Sequence, residues 1–382
     1  MAKTFKVALL FDKSNGYDRA ILRGINKYGR IHGPWLIHLW PLLKYVNTSQ
    51  LKKWGADGII MRQSLGDERI IKTNVPIIVS PISQKEIKGV GNIIGNSTAI
   101  ASMAAEHLLN CGFTHFAYCG IADLPWSNLR GENFAKSIGK AGFKTFFYEH
   151  PDSKLQRLWE NEQKVLAQWV KSLPKPCGIL VCNDERAQQV IEACRLAGQR
   201  VPNEIAVLGI NNDELLCDLS DPPLSSIALN AERAGYEAAE MLNKMMLGHP
   251  PENMVITVDP IYVVARESTD ILAMEDEDVA GALRFIRTHV KESIGVINVV
   301  ESLTISRRVL EKRFRQLLGR SIQHEIRRIR VEHIAWMLAE TNLSIAQIAF
   351  SLGFSGPESL SRYFKTEKGM SPLYYRSQYA KK

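Results

Sequence analysis

From residue 5 to about residue 266, short apolar runs alternate with longer amphipathic stretches. Most of the stretches between the runs, such as 97–112 and 184–198, place apolar residues at helical spacing. This alternation predicts parallel sheets with helices on both faces, and its length predicts two lobes. The predicted strands are residues 5–11, 35–40, 56–61, 75–80, 115–120, 144–148, 178–183 and 205–211.

This fold class indicates where a ligand would bind. Open parallel sheets bind ligands beyond the carboxyl ends of their strands. We therefore expect a ligand site at the loops that follow the predicted strands. These loops open with Asp12, Arg62, Gly120, Asn183 and Asn211.

The hydrophobic pattern changes at residues 268–278, where the chain becomes acidic and polar. Such a composition is typical of a linker. From there to the end of the sequence the pattern predicts only helices. The chain thus divides into a two-lobed α/β domain (1–268), a linker (269–278) and an all-α domain (279–382).

The all-α domain contains an internal repeat with an offset of 50 residues. A short apolar helix is predicted before each copy, over 296–303 and 345–352, and one long helix, 321–340, connects the copies. Ser344 and Gln347 form a capping-box pattern at the start of the second short helix. The pattern predicts two helix-turn-helix units bridged by a helix. The repeated residues are Leu310, Phe314, Gly319 and Ser321, then Leu360, Phe364, Gly369 and Ser371.

The second helix of each unit has an apolar and a polar face. We expect the apolar face to be core, and it holds Leu310, Phe314, Leu317, Leu360 and Phe364. An exposed face rich in Arg, Lys and short polar groups can enter a major groove and hydrogen-bond base edges. Each such residue taken alone is more often plain surface, but the duplication favours DNA binding. The polar faces carry Arg307, Arg308, Glu311, Lys312 and Arg315 in the first unit and Glu358, Ser361, Arg362 and Lys365 in the second.

Charge is distributed unevenly along the chain. Residues 279–382 contain 18 Lys or Arg against 8 Asp or Glu, whereas the remainder contains 30 against 32, so the net charge of +8 comes from the all-α domain. A solvated basic face would explain this excess, but so would a module that binds a polyanion. We expect double-stranded DNA as the partner. Lys365, Arg376 and part of 327–330 are expected at phosphates, which fix register without reading sequence.

The all-α domain resembles the DNA-binding domain of the AraC family of transcription regulators. The resemblance rests on a spaced pattern of Ile348, Ala349, Gly353, Phe354, Phe364, Lys365, Gly369, Ser371, Pro372, Tyr375 and Arg376. It implies base contacts from both units. The residues implied are Arg308, Glu311 and Lys312, then Glu358, Ser361 and Arg362.

The α/β domain resembles the effector domain of LacI-type repressors, which is related to periplasmic sugar-binding proteins. The matching stretches are 104–120, 126–134, 183–187, 201–215 and 222–242, in the same order as in that family. The resemblance implies a sugar site, because hydroxyl groups pair with carboxylates, amides and arginine while an aromatic ring packs on the C–H face of the sugar. The implied ligand positions are Asp12, Arg130, Asn183, Asp184 and Asn211, with Asn96, Tyr17, Asp18 and Trp126 as further candidates.

Two of these positions depart from the family pattern, and two others have an alternative structural interpretation. Asn96 and Asn211 replace residues that are usually Asp in relatives, and an amide donates as well as accepts and lacks the charge. The hydroxyl geometry or the identity of the sugar can therefore differ. Asp184 can instead cap the helix that it begins, and Trp126 can belong to the core of its lobe.

Together the two resemblances imply a sugar-responsive transcription activator in the cytoplasm that binds DNA half-sites as a homodimer. The expected effector is a monosaccharide, with D-xylose as the first candidate, and RNA polymerase is a further expected partner. No cofactor is expected. A different monosaccharide, or a sensor that docks a protein instead of a sugar, is an alternative that the sequence leaves open.

Other function classes are disfavoured by the sequence. No GxxxxGK[ST], HExxH or GxSxG motif is present, and no nucleophile, base and orienting group can be proposed together, so neither an enzyme nor a metal site is expected. The sequence contains no run of about 18 apolar residues, so no membrane span is expected. The six cysteines lack a CxxC pair and are expected to be reduced. A sugar-binding protein of a transport system would need an export signal, which is not expected here, and would gain nothing from the all-α domain.

Overall fold

The computed structural model describes residues 4–40, 48–63, 71, 74–150, 159–270 and 276–379. These residues form twelve strands and fifteen α-helices. The strands are β1 (Phe5–Leu10), β2 (Trp35–Trp40), β3 (Gly58–Arg62), β4 (Ile77–Ser80), β5 (Gly91–Gly95), β6 (His115–Cys119), β7 (Thr145–Phe147), β8 (Cys177–Val181), β9 (Ile205–Asn211), β10 (Ser225–Leu229), β11 (Val255–Val258) and β12 (Pro260–Val264). The helices are α1 (Gly16–His32), α2 (Thr48–Trp54), α3 (Ser97–Asn110), α4 (Pro125–Lys140), α5 (Trp159–Ser172), α6 (Asp184–Leu196), α7 (Glu214–Leu219), α8 (Ala231–Met246), α9 (Glu277–Thr288), α10 (Val296–Glu301), α11 (Arg307–Leu318), α12 (Ile322–Glu340), α13 (Ile345–Ser351), α14 (Pro357–Lys368) and α15 (Pro372–Tyr379).

The first lobe is built on a fully parallel sheet with the strand order β11-β5-β4-β3-β1-β2. Helices α1 and α8 cover one face of this sheet and α2 covers the other. Successive residues of a strand point to opposite faces, and both faces are covered. Val7 and Ala8 are therefore both fully buried.

The second lobe has the strand order β12-β10-β9-β8-β6-β7, in which only β12 runs antiparallel to its neighbour within the described residues. Helices α3 and α4 pack on one face and α5 and α6 on the other. The two-lobed α/β architecture expected from the alternating pattern is confirmed, and all eight predicted strands are present.

Four strands were not predicted from the pattern: β5, β10, β11 and β12. Glycines flank the apolar residues of β5, and β10 begins with two serines, so neither shows a continuous apolar run. Ser225 and Ser226 are nevertheless fully buried. Their hydroxyls are satisfied by the carbonyl of Arg266 and the carboxylate of Asp184, and these partners lie far away in sequence.

The chain passes between the lobes three times, at Asn96, Asn230 and Asp259. The Asn96 amide donates to the Asp259 carboxylate at 2.8 Å, and the Asp259 N–H donates to Oδ1 of Asn230 at 2.8 Å. These three residues form a hydrogen-bonded hinge between the lobes, which we call the hinge.

Helices α1 and α8 pack with their backbones in direct contact. A Cβ atom on Gly24 would lie 1.8 Å from the carbonyl oxygen of Glu232, and one on Gly235 would lie 2.1 Å from that of Ile21. Only glycine permits so close an approach of two backbones. The two helices therefore behave as one rigid pair within the first lobe.

The all-α domain contains the two expected helix-turn-helix units, α10 with α11 and α13 with α14, connected by α12. Both second helices end at a glycine in the left-handed conformation, Gly319 (φ 67°) and Gly369 (φ 72°). The capping box is formed: Oγ of Ser344 accepts from the N–H of Gln347 at 3.1 Å, and Oε1 of Gln347 accepts in return at 2.8 Å.

Four of the five residues expected on the apolar faces of these helices are completely buried: Leu310, Phe314, Leu360 and Phe364. The expectation for Leu317 was wrong, because its side chain is 49% exposed. The next residue, Leu318, packs against the core of the first unit instead. It lies four residues after Phe314, the spacing that keeps two side chains on one helix face.

The boundary between the domains differs slightly from the expected linker. The hydroxyls of Ser268 and Thr269 hydrogen-bond to Ser225 at 2.8 and 2.7 Å, so both residues pack within the second lobe. Helix α9 begins at Glu277, two residues before the expected start of the all-α domain. Residues 271–275 of the expected linker lie outside the described residues.

All six cysteines are buried free thiols. In the described ranges, no helix is long and apolar enough to cross a membrane. Over the same residues, no group of His, Cys, Asp and Glu side chains is arranged to hold a metal ion.

Candidate functional site

A narrow polar cleft lies between the two lobes, at the carboxyl ends of their strands. This is the position at which open parallel sheets bind ligands. The first lobe contributes Asn15, Tyr17, Arg62, Ser80 and Gln84 to the cleft, and the second lobe contributes Trp126, Arg130, Asn183 and Asn211. Five of the nine residues expected at a sugar site therefore line it, and they come from both lobes.

Arg62 is the charged residue of the first-lobe wall. Its Nη1 donates to Oδ1 of Asp18 at 2.8 Å, and its Cζ lies 5.3 Å from the centre of the Tyr17 ring. Asp18 is completely buried, and its second oxygen accepts from the N–H of Asp12 at 2.9 Å. Burial raises the pKa of Asp18, and the Arg62 cation opposes that rise. The role of Asp18 is thus to fix the Arg62 guanidinium, and it does not line the cleft itself.

Arg130 and Trp126, both on α4, form the opposite wall. Cζ of Arg130 lies 5.0 Å from the centre of the Trp126 ring, and Nη1 of Arg130 donates to the carbonyl oxygen of Cys182. Burial lowers the pKa of Arg130. Asn183 lies at the start of α6, where its Oδ1 caps the helix by accepting from the N–H of Arg186 at 3.0 Å.

Asn211 ends β9 with a backbone φ of 113°, a conformation that residues other than glycine rarely adopt. Its Oδ1 is buried and has no hydrogen-bond partner among the described residues. An unsatisfied buried polar atom is costly, and strained residues cluster at ligand-binding sites. Both features make Asn211 a candidate ligand contact of the cleft.

Asp184 lies behind this loop and not in the cleft, which corrects its expected role as a sugar ligand. Its carboxylate accepts from the Ser226 hydroxyl at 2.5 Å and from the N–H of Asp213 at 2.8 Å. Burial raises its pKa to about 8. Because the Ser226 hydroxyl in turn accepts from the N–H of Asn212 at 3.0 Å, Asp184 holds the loop that follows Asn211. The alternative of a helix cap is not confirmed either, since Asn183 is the cap of α6.

Asp12 and Asn96 were expected as sugar ligands, and in the structure both side chains make hydrogen bonds within the protein. Oδ1 of Asp12 accepts from the N–H and the hydroxyl of Ser14 at 2.9 and 2.6 Å. Asn96 caps α3 through the N–H of Ala99 at 3.0 Å, and its amide group is bound in the hinge. Both side chains are thus engaged by local contacts of the first lobe and the hinge.

Asn15, Ser80 and Gln84 are among the cleft residues that were not singled out from the sequence. Ser80 is the last residue of β4, so the strand-end rule applied to every predicted strand would have found it. Gln84 carries no such signal. It reaches the cleft because its loop folds back, with Nε2 donating to the Pro81 carbonyl and Oε1 accepting from the Gly95 N–H, both at 2.8 Å.

The lobes contact each other beside the cleft. Nδ2 of Asn15 donates to Oε1 of Glu185 at 3.0 Å, which joins α1 of the first lobe to α6 of the second. Arg19 and Asp213 form an ion pair between the same two lobes. The structure therefore shows the lobes in a closed arrangement.

The polar faces of α11 and α14 form the candidate DNA-binding surface. Their basic residues Arg307, Arg308, Lys312, Arg315, Arg362 and Lys365 are exposed, as is Glu358, while Glu311 and Ser361 are half-buried. Tight packing of the opposite faces presents these side chains outward. The two helices thus carry a basic polar surface twice, once in each unit.

Most of the other basic residues that were expected at phosphates are engaged within the protein, but Arg327 is exposed on α12, with its Nη1 3.8 Å from Oε1 of Glu367 in α14. Arg376 is half-buried, and its Nε donates to the carbonyl oxygen of Leu338 at 3.3 Å. Arg330 lies over the Phe354 ring with its Cζ 4.9 Å from the ring centre. Arg328 is paired with Glu325 at 2.8 Å. Arg376 and Arg330 thus hold α12 against its neighbours, and Arg328 pairs along its own helix. The expectation that these three side chains face DNA is corrected, whereas Arg327 stays a predicted phosphate contact.

Two family models match parts of the chain. A periplasmic binding protein-like domain matches residues 105–269, and a helix-turn-helix domain matches residues 299–378. The first match covers the second lobe and part of the first, and the second covers both helix-turn-helix units. Each supports one of the two architectures described above.

Relatives of almost the same length match both domains together. The chain is 30% identical over 383 residues to the xylose operon regulatory protein of Haemophilus influenzae, covering 97% of this chain and 98% of that protein. The chain belongs to the xylose operon regulatory protein family. It is also 29% identical over 388 residues to the Escherichia coli K12 member, covering 98% and 97% of the two chains.

A solved structure of a xylose-binding transcription activator agrees with this family assignment. It matches 99% of this chain and 99% of its own, with a TM-score of 0.61 and 27% identity. The family places a periplasmic-binding-protein-like sensor ahead of a helix-turn-helix domain in a single chain. This protein is accordingly a DNA-binding transcription regulator, and its relatives are regulators and not enzymes.

Proposed function

We propose that this protein is a transcription activator whose DNA binding is controlled by a monosaccharide, and that the monosaccharide is D-xylose. One observation carries the proposal: a polar cleft built from both lobes lies in the same chain as two exposed, basic recognition helices. The names of the full-length relatives point to xylose as the sugar.

The cleft offers the groups that a small sugar needs. Arg62 and Arg130 supply guanidinium donors from opposite walls, and Asn183 and Asn211 supply amide groups. Trp126 supplies an aromatic ring beside them. A ligand that touches both walls stabilises the closed arrangement, because those contacts are lost when the lobes separate.

The recognition helices α11 and α14 divide the contacts to DNA. Base edges are read by Arg308, Glu311 and Lys312 in the first unit and by Glu358, Ser361 and Arg362 in the second, while Arg307, Arg315 and Lys365 meet phosphates. Two such units can occupy successive major grooves about 34 Å apart. The protein acts as a homodimer on paired half-sites in the cytoplasm, where it recruits RNA polymerase.

Thermal unfolding of the purified protein against a panel of sugars tests the proposal. D-xylose, L-arabinose, D-ribose and D-glucose are compared at equal concentrations. A ligand at 100 times its dissociation constant adds about 2.7 kcal/mol to the free energy of unfolding. A raised Tm with D-xylose supports the proposal. A response to another sugar alone reassigns the effector, and no response to any sugar contradicts the sensor function and favours a docked protein.

A further inference from the structure

The last helix of the DNA-binding domain contacts the first lobe of the sensor. Nη1 of Arg233 in α8 donates to the carbonyl oxygens of Ser377, at 2.8 Å, and Gln378. These carbonyls belong to the last described turn of α15, and carbonyls at the C-terminal end of a helix need partners from outside it. A cation is favourable at this end of a helix. Arg233 therefore caps a helix of another domain.

Arg233 is held in place for this contact. Its Nε donates to Oε1 of Glu237 at 2.7 Å, one turn along α8. The helix itself is locked to α1 through the backbone contacts at Gly24 and Gly235. Helix α1 carries Arg19, which pairs with Asp213 of the second lobe. The interlobe contact and the helix cap thus belong to one rigid pair of helices.

The second lobe contacts the same domain through β12. The Tyr262 hydroxyl donates to Oε1 of Glu340 at the end of α12 at 2.5 Å, and the Tyr375 hydroxyl donates to the carbonyl oxygen of Ile261 at 3.1 Å. Ile261 and Tyr262 are part of one apolar cluster with Leu338 and Tyr375. The core of the second helix-turn-helix unit therefore continues into the sensor.

Both contacts lie next to the hinge. Arg233 follows the hinge residue Asn230 by three residues, and Tyr262 follows Asp259 by three. One contact moves with the first lobe and the other with the second. A rotation at the hinge strains these contacts, because α15 itself is bound to both lobes, through Tyr375 to Ile261 of the second and through Ser377 to Arg233 of the first. The DNA-binding domain is thus attached at two points that separate or converge as the lobes open or close.

We infer that Arg233 couples closure of the lobes to the docking of the DNA-binding domain, so that each stabilises the other. The inference rests on the proposed function in one respect: closure is the event that a sugar promotes. Coupling between two sites is reciprocal, so a docked domain also favours the closed lobes. Arg233 is a positioning residue in this scheme, since it lines neither the DNA surface nor the narrow sugar cleft.

Hydrogen exchange of the full-length protein tests the coupling without a ligand. Amide exchange is compared in α15 and in residues 211–219, which include the interlobe partner Asp213. In Arg233→Met, both segments should exchange faster by about fivefold or more, because a lost cap opens α15 and the lobes together. Tyr262→Phe removes the contact from the other lobe and should give the same pair of changes.

Lys244→Met is the matched control. It removes another ion pair between residues four apart on α8, Lys244 with Glu240 at 2.8 Å, but this pair does not reach the DNA-binding domain. The control should leave both segments at wild-type rates. If Arg233→Met speeds exchange only in α15 and leaves 211–219 unchanged, the coupling is overturned, because Arg233 is then merely a local cap.

Addition of D-xylose to the wild-type protein separates this inference from the proposed function. The sugar should slow exchange in residues 211–219 and in α15. One outcome is that the sugar slows exchange in wild type while Arg233→Met leaves the exchange rate of 211–219 unchanged. That outcome supports the sugar sensor and rejects the coupling. Faster exchange of both segments in Arg233→Met, without any effect of D-xylose, keeps the coupling and rejects D-xylose as the effector.

Discussion

The amide of Asn15 donates to the carboxylate of Glu185 at 3.0 Å across the edge of the cleft, so that two helices from different lobes are joined by one hydrogen bond. Glu185 does not line the cleft, whereas Asn15 does. Removing the carboxylate therefore changes the balance between open and closed lobes without removing a group that faces the sugar.

Glu185→Ala should weaken D-xylose binding by about 1 kcal/mol, or roughly fivefold in Kd, the usual contribution of one hydrogen bond. Isothermal titration of the full-length protein measures this. The matched control is Glu192→Ala on the same helix, because Glu192 pairs with Arg195 of that helix, three residues later, at 2.7 Å. Equal Kd values for Glu185→Ala and wild type would show that this contact does not contribute to closure.

Arg130 is expected to bind the sugar directly. Arg130→Met should raise the Kd for D-xylose at least about tenfold, because a hydrogen bond from a charged group contributes about 1.5–3 kcal/mol. Binding to DNA without sugar should stay as in wild type, since Arg130 lines the cleft of the sensor and the recognition helices belong to the other domain. Lys136→Met, an exposed position on the same helix, serves as the control. An unchanged Kd in Arg130→Met would remove this residue from the site.

The strands and the repeat were predicted because each depends on neighbouring residues. Continuous apolar runs identified eight strands, and the offset of 50 residues identified both helix-turn-helix units. Strand β10 was not predicted, because its two buried serines are polar and the partners of their hydroxyls are distant in sequence. The pattern of the printed sequence contains no sign of those partners.

The cleft was predicted less completely for the same physical reason. Residue type and position suggested that Asp184 binds sugar, but a carboxylate at a strand end can turn inward as easily as outward. The hydroxyl of Ser226 and the N–H of Asp213 decide its direction. Asn96 turned to the hinge because Asp259, on a later crossing of the chain, accepts from its amide.

The stability of the protein should fall in mild acid because of His107. Its Nε2 lies 3.0 Å from the Thr269 hydroxyl, and burial, aided by the nearby Arg287 cation, lowers its pKa from 6.5 to about 4. Because the folded-state pKa of His107 is below the unfolded one, this group takes nothing from the free energy of unfolding well above pH 6.5. The protein loses stability as the pH falls from there towards 4, where the unfolded chain alone takes up the proton.

Between pH 7.5 and pH 5 this effect amounts to about 2 kcal/mol of the free energy of unfolding. Urea unfolding at both pH values should show a smaller loss in His107→Gln than in wild type. His249→Gln, at an exposed position, is the control and should keep the wild-type loss. If His107→Gln loses as much stability as wild type, His107 is not the group responsible.

The two recognition helices should each contribute to sequence specificity. A binding site is first obtained by selection from a random DNA pool, and fluorescence anisotropy then measures affinity for that site and for random DNA. Arg308→Ala and Arg362→Ala should each weaken binding to the selected site by about 1–3 kcal/mol and relax the preference at one base pair. Lys368→Ala, at the exposed end of α14, should lower both affinities slightly and equally. Equal losses on both DNAs in Arg362→Ala would assign that side chain to a phosphate.

The most direct measurement of the central claim is the affinity of the full-length protein for its selected DNA site with and without saturating D-xylose, at one fixed salt concentration. Control of DNA binding by the sugar predicts a change in Kd of at least about fivefold, the lower range for coupling between two sites. In Arg130→Met the same change should require at least about tenfold more D-xylose. An identical Kd with and without D-xylose, in a protein shown by calorimetry to bind the sugar, would contradict the account.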